Sequence, residues 1–361
     1  MPRRSGAGER RRGTADSIAH DRGGTRMNRY AKVKVICPGG AMTAGPEALH
    51  QLVAELNRLG QPAAIVYSPF DRTFETPEPY RKYAAPVEAY ADEHGELIVF
   101  PEIMPTDALR VKRADAAIWW MSLNNYTCVR YGNPLRDRFR YFKAWIKGKR
   151  PLGGIGALRH LKHFAQSHHA QTYLAARGFS VLPLTDSIPV YTALDYLAAL
   201  PQRLAAATHD DVILYNPSKG RSVTERLMRA YPQWQFKPLR GLNREQLADA
   251  FCAAKVYIDF GHHPGRDRLP REAAVHGCCV VTARHGSAGN PVDVPIPDRY
   301  KLDPKASGFV EQFGQVIDAI FGDFAGCSAE FEPYRHMIHR EADVFEAQIR
   351  RAFELGGPSA L

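Results

Sequence analysis

The stretch Lys32-Val-Lys-Val-Ile-Cys37 alternates and then becomes continuously apolar, which is typical of a strand entering the centre of a parallel sheet. It stops at Pro38-Gly39-Gly40, and Pro46 then opens a segment with the apolar spacing of a helix. A second apolar run follows at residues 63–67. Strand, loop, helix and strand in this order form the unit that builds a doubly wound α/β sheet.

The same alternation begins again in the second half of the chain. The apolar strand Asp211-Val-Ile-Leu-Tyr215 runs into the turn Asn216-Pro-Ser-Lys-Gly220, and Val256-Tyr-Ile-Asp-Phe260 forms a further buried strand. Two such halves predict an α/β protein with two Rossmann-like, doubly wound domains that face a central cleft. We expect four parts: a disordered basic tail (1–26), a first Rossmann-like domain (27–190), a second (191–330), and a C-terminal helix packing back across the domains (331–361).

The composition is that of an ordinary globular protein. The chain has 361 residues, of which 45% are hydrophobic and 24% charged, so it can bury a large core, and its length favours two domains. No segment approaches the roughly 20 apolar residues that span a bilayer, and no signal-peptide pattern stands at the start. We therefore expect a cytoplasmic protein. Its six scattered cysteines predict buried thiols, without a disulfide framework or a zinc site.

Part of the formal net charge of +10 lies in residues 1–26, where seven arginines stand against three acids, a net charge of +4. This segment lacks apolar periodicity, so we expect disorder; the alternative that translation starts at Met27 stays open. The remaining surplus fits a solvated surface, phosphorylated substrates or peripheral contact with an anionic membrane. Nucleic-acid binding through residues 3–12 and 136–143 is a weaker alternative, because the second stretch fits a solvated helix face.

Two loops at the predicted carboxyl ends of strands contain the candidate functional residues. The first, residues 39–47, is rich in glycine and leads into a helix, so its backbone can approach an anion closely, and Gly40 is its candidate contact. The second, residues 259–272, holds three arginines, two histidines, three acids and two glycines directly after a buried strand. Such density predicts a binding site, and an internal ion-pair network is the alternative.

Each residue type in the second loop suits part of a nucleoside diphosphate. Gly261 and Gly265 expose backbone N–H groups to the phosphates, and Arg266 or Arg268 neutralises their charge. Glu272, predicted at the start of a helix, accepts hydrogen bonds from ribose hydroxyls.

The adjacent pair His262-His263 suggests a metal, but neighbouring residues rarely both reach one ion, and no third ligand is evident in the sequence. We therefore predict no metal site and no cofactor. The second half instead offers one more phosphate contact, Lys219, in the turn that follows the strand of residues 211–215.

Residues 216–300 resemble bacterial glycosyltransferases of the GT-B fold, in particular the retaining branch that serves surface-polysaccharide assembly. In these enzymes a lysine-glycine turn, here Lys219-Gly220, contacts the donor diphosphate. The segment Pro270-Arg-Glu-Ala-Ala-Val-His-Gly-Cys-Cys-Val-Val281 is similar to the family's E-A-x-x-x-G-x-P-V-V motif, which implies a ribose contact by Glu272. The loop at residues 39–47 is similar to the first-domain loop that faces sugar and acceptor.

One position departs from the family pattern. The family's paired acids lie eight positions apart, whereas Pro264 stands eight positions before Glu272, within His262-His263-Pro264-Gly265. Retention or inversion of the anomeric configuration therefore stays open.

The resemblance implies a metal-independent glycosyltransferase that moves a sugar from a nucleotide-sugar to a glycan or lipid-linked acceptor, with peripheral membrane contact as an option and no nucleic acid. Glu47, Glu102 and His50 are candidates for the base that activates the acceptor. The alternatives are a nucleotide-sugar epimerase or phosphorylase on the same fold and a non-catalytic nucleotide-sugar-binding protein. The predicted catalytic residues are Glu47, His262 and His263. The predicted donor-binding residues are Gly40, Lys219, Gly261, Gly265, Arg266, Arg268 and Glu272.

Overall fold

A computed structural model of the chain describes residues 28–188 and 194–355. The predicted tail (1–26), the domain boundary predicted at 190–191 and the last residues of the predicted C-terminal helix (356–361) lie outside the described residues. Within them the chain forms two parallel β-sheets, each flanked by helices. This architecture confirms the predicted α/β fold with two doubly wound sheets.

The first sheet has the strand order β2-β1-β3-β4-β5-β6, and all its pairings are parallel. Its strands are β1 (Lys32–Pro38), β2 (Ala63–Ser68), β3 (Glu96–Pro101), β4 (Asp115–Trp120), β5 (Lys162–Ala165) and β6 (Leu182–Pro183). Its helices are α1 (Ala44–Arg58), α2 (Pro105–Ala108), α3 (Leu123–Thr127), α4 (Pro134–Ile146) and α5 (His168–Ala175), with 3-10 turns at Glu78–Tyr83 and Gly154–Leu158.

The second sheet has the strand order β11-β10-β9-β7-β8, again parallel throughout. Its strands are β7 (Asp210–Tyr215), β8 (Gln235–Pro238), β9 (Ala254–Asp259), β10 (Cys279–Ala283) and β11 (Lys301–Leu302). Its helices are α6 (Leu194–Ala205), α7 (Arg221–Ala230), α8 (Arg244–Cys252), α9 (Arg268–Val275), α10 (Gly286–Gly289), α11 (Phe309–Gly322) and α12 (Phe324–Ala329), with a 3-10 turn at Asp298–Tyr300.

Apolar periodicity explains how these elements pack. Residues 33–37 of β1 are buried, as a central strand requires, and Leu49, Leu52 and Leu56 of α1 are fully buried against the first sheet. The second sheet builds its own core around β9 and β10, covered by α11. Among the described helices, none is both long and apolar enough to cross a membrane.

The C-terminal segment differs from the single helix predicted at residues 331–361. It forms two helices, α13 (Glu332–His339) and α14 (Glu341–Ala352), that meet at Arg340. The break lets each helix bury its apolar side in a different core: Tyr334 and Ile338 pack in the second domain, whereas Phe345 and Ile349 pack in the first.

Both sheets reverse their winding direction at one place. In the first sheet this switch lies between β1 and β3, and in the second between β7 and β9. Ligands of open α/β sheets bind at the carboxyl ends of strands beside such a switch, because neighbouring loops diverge there and leave a crevice. We therefore expect ligand-binding residues in the loops after β1, β3, β7 and β9.

Candidate functional site

A cavity of about 280 Å³ lies where the two domains face each other. One wall comes from the ends of β1, β3, β4 and β5, and the other from the loop after β9. Its lining includes Glu102, Met121, Asn125, Gln166, Gly265, Arg266 and Asp267. The cavity thus lies at the switch point of the first sheet and is closed by the loop at the switch point of the second.

Glycines allow the loops after β7 and β9 to pack closely. Gly220 adopts a φ of +61°, and a Cβ there would lie 2.7 Å from the carbonyl carbon of Phe260 and 2.8 Å from the nitrogen of Gly261. A Cβ on Gly261 would lie 2.6 Å from the Cβ of Lys219. Neither position has room for a side chain, so only glycine lets the two backbones pack this closely. The Gly261 N–H, predicted to face phosphate, donates to the Asp259 carboxylate instead, and neither glycine lines the cavity.

Gly265 carries the second loop against the first domain. A Cβ at this position would overlap the carbonyl oxygen of Met121 and lie 2.8 Å from Oε1 of Gln166. Gly40, the predicted contact in the first loop, has a φ of +71°, but a Cβ there would face open space among the described residues, and Gly40 does not line the cavity. Glycine at residue 40 therefore serves the turn, whereas glycine at residue 265 serves the approach between domains.

Lys219, His263 and two aspartates form a largely buried charge network beside the cavity. Nζ of Lys219 lies 2.8 Å from Oδ2 of Asp267, which is also 2.8 Å from Nδ1 of His263. Nε2 of His263 donates to the carbonyl oxygen of Asp259 at 3.1 Å, and the Gly261 N–H donates to the Asp259 carboxylate at 2.9 Å. Two cations and two carboxylates therefore hold the loop in one conformation.

The protonation of this network follows from its charges. Burial lowers the pKa of His263, but Asp259 and Asp267 outweigh burial and raise it. Burial likewise opposes ionisation of Asp267, yet His263 and Lys219 lower its pKa. Both nitrogens of His263 are engaged, so the geometry favours a role in positioning the loop over the predicted catalytic role.

Asp259, His263 and Asp267 place three candidate metal-ligand atoms within 4.8 Å of one another. The Lys219 ammonium already contacts Asp267, and His263 donates through both nitrogens. A divalent cation would have to displace the ammonium and deprotonate the histidine. These contacts suit a hydrogen-bonded network better than a cation site.

Glu272 lies in the second turn of α9, not at its start as the sequence suggested, because the helix begins four residues earlier, at Arg268. Its Oε1 is 3.3 Å from Nε of Arg268, whereas its buried Oε2 has no hydrogen-bond partner within the described residues. Burial raises the pKa of Glu272, although Arg268 and Arg271 oppose the rise. A buried carboxylate oxygen without a partner is costly and is ready to accept a ligand hydroxyl.

Glu47 and Arg268 connect the domains. The Glu47 carboxylate accepts from Nη1 of Arg268 at 3.0 Å, from Nζ of Lys82 at 3.0 Å and from the Tyr83 hydroxyl at 3.1 Å. Glu47 does not line the cavity. In this conformation three donors occupy the Glu47 carboxylate. A catalytic base needs a free carboxylate, so this geometry favours a structural role over the predicted catalytic one.

Arg266 is also paired in this conformation. Its Nη2 lies 2.6 Å from Oε1 of Glu341, at the start of α14, and both side chains are nearly buried. Oε2 of Glu341 binds Arg271, which reaches Asp186 in the connection between the domains. Of the arginines predicted to meet phosphate, Arg266 lines the cavity and Arg268 does not.

His262 and His50 have different surroundings. Nε2 of His262 lies 3.1 Å from Nη1 of Arg130 across the domain interface, and burial together with Arg130 lowers its pKa. His50 is fully buried in α1, where its ring nitrogens contact the Pro46 carbonyl at 2.8 Å and the Tyr67 hydroxyl at 2.9 Å. His50 is therefore a packed core residue, and His262 stays a surface candidate at the crevice rim.

Glu102 is a buried acid in the cavity wall with a raised pKa. It directly follows β3, its side chain is buried, and its Oε2 has no hydrogen-bond partner within the described residues. Burial raises the pKa of Glu102 to about 7, against the opposing hydrogen bonds of the Met121 backbone and the Asn125 side chain. A carboxyl group with a pKa near neutrality can exchange a proton with a bound hydroxyl.

Asn125 and Gln166 also line the cavity, and sequence reasoning missed them. Gln166 directly follows β5, so the rule that ligands meet the carboxyl ends of strands could have found it. Asn125 lies in α3, which begins shortly after β4, so the same rule could have indicated it.

Comparison with solved structures finds the same two-domain arrangement. HepE of Anabaena, solved with UDP-glucose, aligns with a TM-score of 0.58 and 12% identity over 90% of this chain and 99% of that chain. Sucrose-phosphate synthase of Thermosynechococcus elongatus aligns with a TM-score of 0.58 and 12% identity over 90% of this chain and 98% of that chain. WaaG, a glycosyltransferase involved in lipopolysaccharide biosynthesis, aligns with a TM-score of 0.56 and 12% identity over 91% of this chain and 100% of that chain. No protein-family model and no curated protein matches the sequence. The chain shares the fold of these proteins, which is the GT-B fold of glycosyltransferases such as WaaG.

Proposed function

We propose that this protein is a glycosyltransferase that moves a sugar from a nucleotide-sugar donor to a glycan or lipid-linked acceptor in surface-polysaccharide assembly. The observation that supports this best is the cavity between the two domains, which lies at the carboxyl ends of strands and is closed by the loop that Gly265 brings against the first domain. The fold shared with the glycosyltransferase WaaG, and with HepE solved in complex with UDP-glucose, supports the same activity.

The second domain supplies the donor site. Gly220 and Gly261 let the loops after β7 and β9 meet at the switch point of the second sheet, and Lys219 stands between them with part of its side chain exposed. An incoming diphosphate competes with Asp267 for the Lys219 ammonium and gains charge-assisted hydrogen bonds. Glu272 then accepts the ribose hydroxyls through the oxygen that has no partner among the described residues.

The first domain supplies the acceptor side. Glu102 faces the same cavity as the loop that ends at Asp267, so it is our proposed base for the acceptor hydroxyl. The acceptor oxygen forms a bond to the anomeric carbon, the bond from that carbon to the diphosphate breaks, and the hydroxyl proton passes to the Glu102 carboxylate. Cationic side chains and backbone N–H groups stabilise the leaving diphosphate without a metal ion.

The assay for this proposal supplies labelled nucleotide-sugars together with a lipid and glycan extract. A transferase releases one nucleoside diphosphate for each labelled sugar that becomes attached to a component of the extract. Conversion of the sugar within the nucleotide-sugar would instead identify an epimerase, and binding without either product would identify a non-catalytic binding protein. The anomeric configuration of the product then separates retention from inversion.

Substitution Glu272→Ala is expected to weaken nucleoside diphosphate binding by about tenfold or more, because a hydrogen bond to a charged group is lost. Calorimetric titration of the variant and the wild type with the same nucleotide checks this. Glu245→Ala is the matched control, since Glu245 is an exposed acid on neighbouring helix α8. Equal affinity in the Glu272→Ala variant and the wild type would remove Glu272 from the donor site.

A further inference from the structure

Helix α4 turns its apolar side toward solvent. Leu135, Phe139, Phe142 and Ile146 repeat at intervals of four, three and four residues, which places them on one stripe of the helix, and they are 73%, 66%, 53% and 63% exposed. Asp137, on the opposite side, is the buried residue of this helix. A surface helix of a globular protein normally has the reverse orientation.

Polar contacts explain how α4 is held in this orientation. The Asp137 carboxylate accepts from the backbone N–H of Arg130 at 3.1 Å and from Nη1 of Arg140 at 2.9 Å. Asn133 caps the helix by accepting from the backbone nitrogen of Leu135. Tyr141 also packs toward the protein, with its ring centroid 6.3 Å from that of Tyr126. These contacts hold the side of α4 that bears Asp137 against the first domain and leave the apolar stripe without a core contact in the described residues.

Positive charge borders the stripe. Exposed cations stand at Arg136, Arg138, Lys143, Lys147 and Lys149, while the acid within residues 134–149 is the inward-facing Asp137. Phe142 and Trp145 stack with ring centroids 5.8 Å apart, and Trp145 is 39% exposed. The surface thus combines aliphatic and aromatic side chains with a rim of one sign of charge.

We propose that α4 inserts its apolar stripe into the surface of an anionic lipid bilayer. Apolar side chains gain by leaving water, and each lysine or arginine near an anionic membrane adds about 1 kcal/mol of attraction. A second copy of the chain would bring the same cations against this rim and would be repelled. Nucleic acid would satisfy the cations but leave the apolar stripe exposed, so the membrane fits both features.

This inference deepens the proposed function and rests on it for the identity of the acceptor. Beside α4 lies a cavity of about 660 Å³, lined by Tyr141 and Phe142 of the helix, by Tyr131 before it, and by Lys305 of the second domain. Insertion of α4 brings the mouth of this cavity to the lipid surface. A lipid-linked acceptor would then reach the protein beside the domain crevice.

The test measures co-sedimentation of the full chain with vesicles of phosphatidylglycerol and phosphatidylcholine, and with vesicles of phosphatidylcholine alone, at low salt. The wild type is expected to bind the anionic vesicles, with a blue shift of Trp145 fluorescence that the Trp145→Phe variant loses. The double variant Phe139→Ser and Phe142→Ser keeps every charge, including those of residues 1–26, and is expected to bind about tenfold or more weakly.

The double variant Leu242→Ser and Val292→Ser removes exposed apolar side chains from the second domain and is expected to bind like the wild type. Failure of the wild type to bind anionic vesicles, or equal binding by the Phe139→Ser and Phe142→Ser variant, would overturn the inference. A change in oligomeric state of that variant with unchanged vesicle binding would also overturn it, in favour of a protein partner. Nucleotide binding in the same preparations is independent of vesicles, so failure of this inference is distinguishable from failure of the proposed function.

Discussion

Substitution Glu102→Gln is expected to lower the transfer rate by about 10²-fold or more, because the variant keeps the shape of the cavity wall but cannot take the acceptor proton. In the wild type, the transfer rate should rise with pH through about 7 as Glu102 loses its proton. The variant should show a low rate without this rise. Measurement of kcat/KM against pH for both proteins checks the prediction.

The same substitution lowers activity but is expected to stabilise the folded protein above about pH 7. The pKa of Glu102 is raised from 4.5 to about 7 in the folded protein, so between these values the folded state binds more protons than the unfolded state. The free energy of unfolding therefore falls as pH rises through this window, and Glu102→Gln removes a penalty of about 3 kcal/mol above it. The variant should melt higher than the wild type at about pH 8, with little difference at about pH 4.

Glu93→Gln is the matched control, because Glu93 is an exposed acid on the same domain. It should change neither the rate nor the pH dependence of stability. A Glu102→Gln variant with wild-type turnover would show that the acceptor is activated elsewhere, and a variant without the gain in stability would show that Glu102 is ionised at no cost.

Substitution Arg271→Met is expected to destabilise the protein by about 3 to 5 kcal/mol, because it leaves buried carboxylates without their partner. Arg271 is 2% exposed and binds Asp186 at 2.8 Å and Glu341 at 2.9 Å. These three residues lie on α9, on the connection between the domains and at the start of α14. The ion pairs thus join the segments through which the chain passes from one domain to the other.

Denaturant unfolding of the Arg271→Met variant checks this prediction. Arg284→Met is the control, since Arg284 forms an exposed pair with Asp298 at 3.2 Å, and loss of such a pair costs less than about 1 kcal/mol. The additional change Asp186→Asn in the Arg271→Met background should recover part of the loss by removing the unpaired charge. A cost for Arg271→Met as small as that for Arg284→Met would contradict the role of this network.

Local pattern was sufficient to predict the fold. The run at residues 32–37 alternates and then becomes apolar, and it forms the central strand β1, because burial on both faces selects such residues. The turn at Lys219-Gly220 and the loop from Gly261 each follow a buried strand, and parallel strands end at one edge of a sheet. The sequence therefore predicts that they are neighbours, and the structure brings them into contact.

Contacts between distant residues could not be predicted from the sequence. Glu47 and Arg268 are separated by 221 positions, and their pairing depends on how the two domains face each other. The same holds for the pairs of Arg266 and Arg271 with Glu341. The sequence offered Arg266 as a phosphate ligand, or an ion-pair network within residues 259–272, and Glu341 lies outside that loop. The sequence also could not predict that the apolar stripe of α4 faces solvent. Periodicity identifies an apolar helix face but not the surface, if any, that packs against it.

The most direct test of the central claim is a thermal-shift screen of the full chain against nucleoside diphosphates and nucleotide-sugars. A ligand that binds the folded state raises the melting temperature by mass action. We predict that one nucleotide raises it clearly in the wild type and in Glu245→Ala, and much less in Glu272→Ala. If no nucleotide or nucleotide-sugar raises the melting temperature of the wild type, the crevice between the two sheets is not a nucleotide-sugar site.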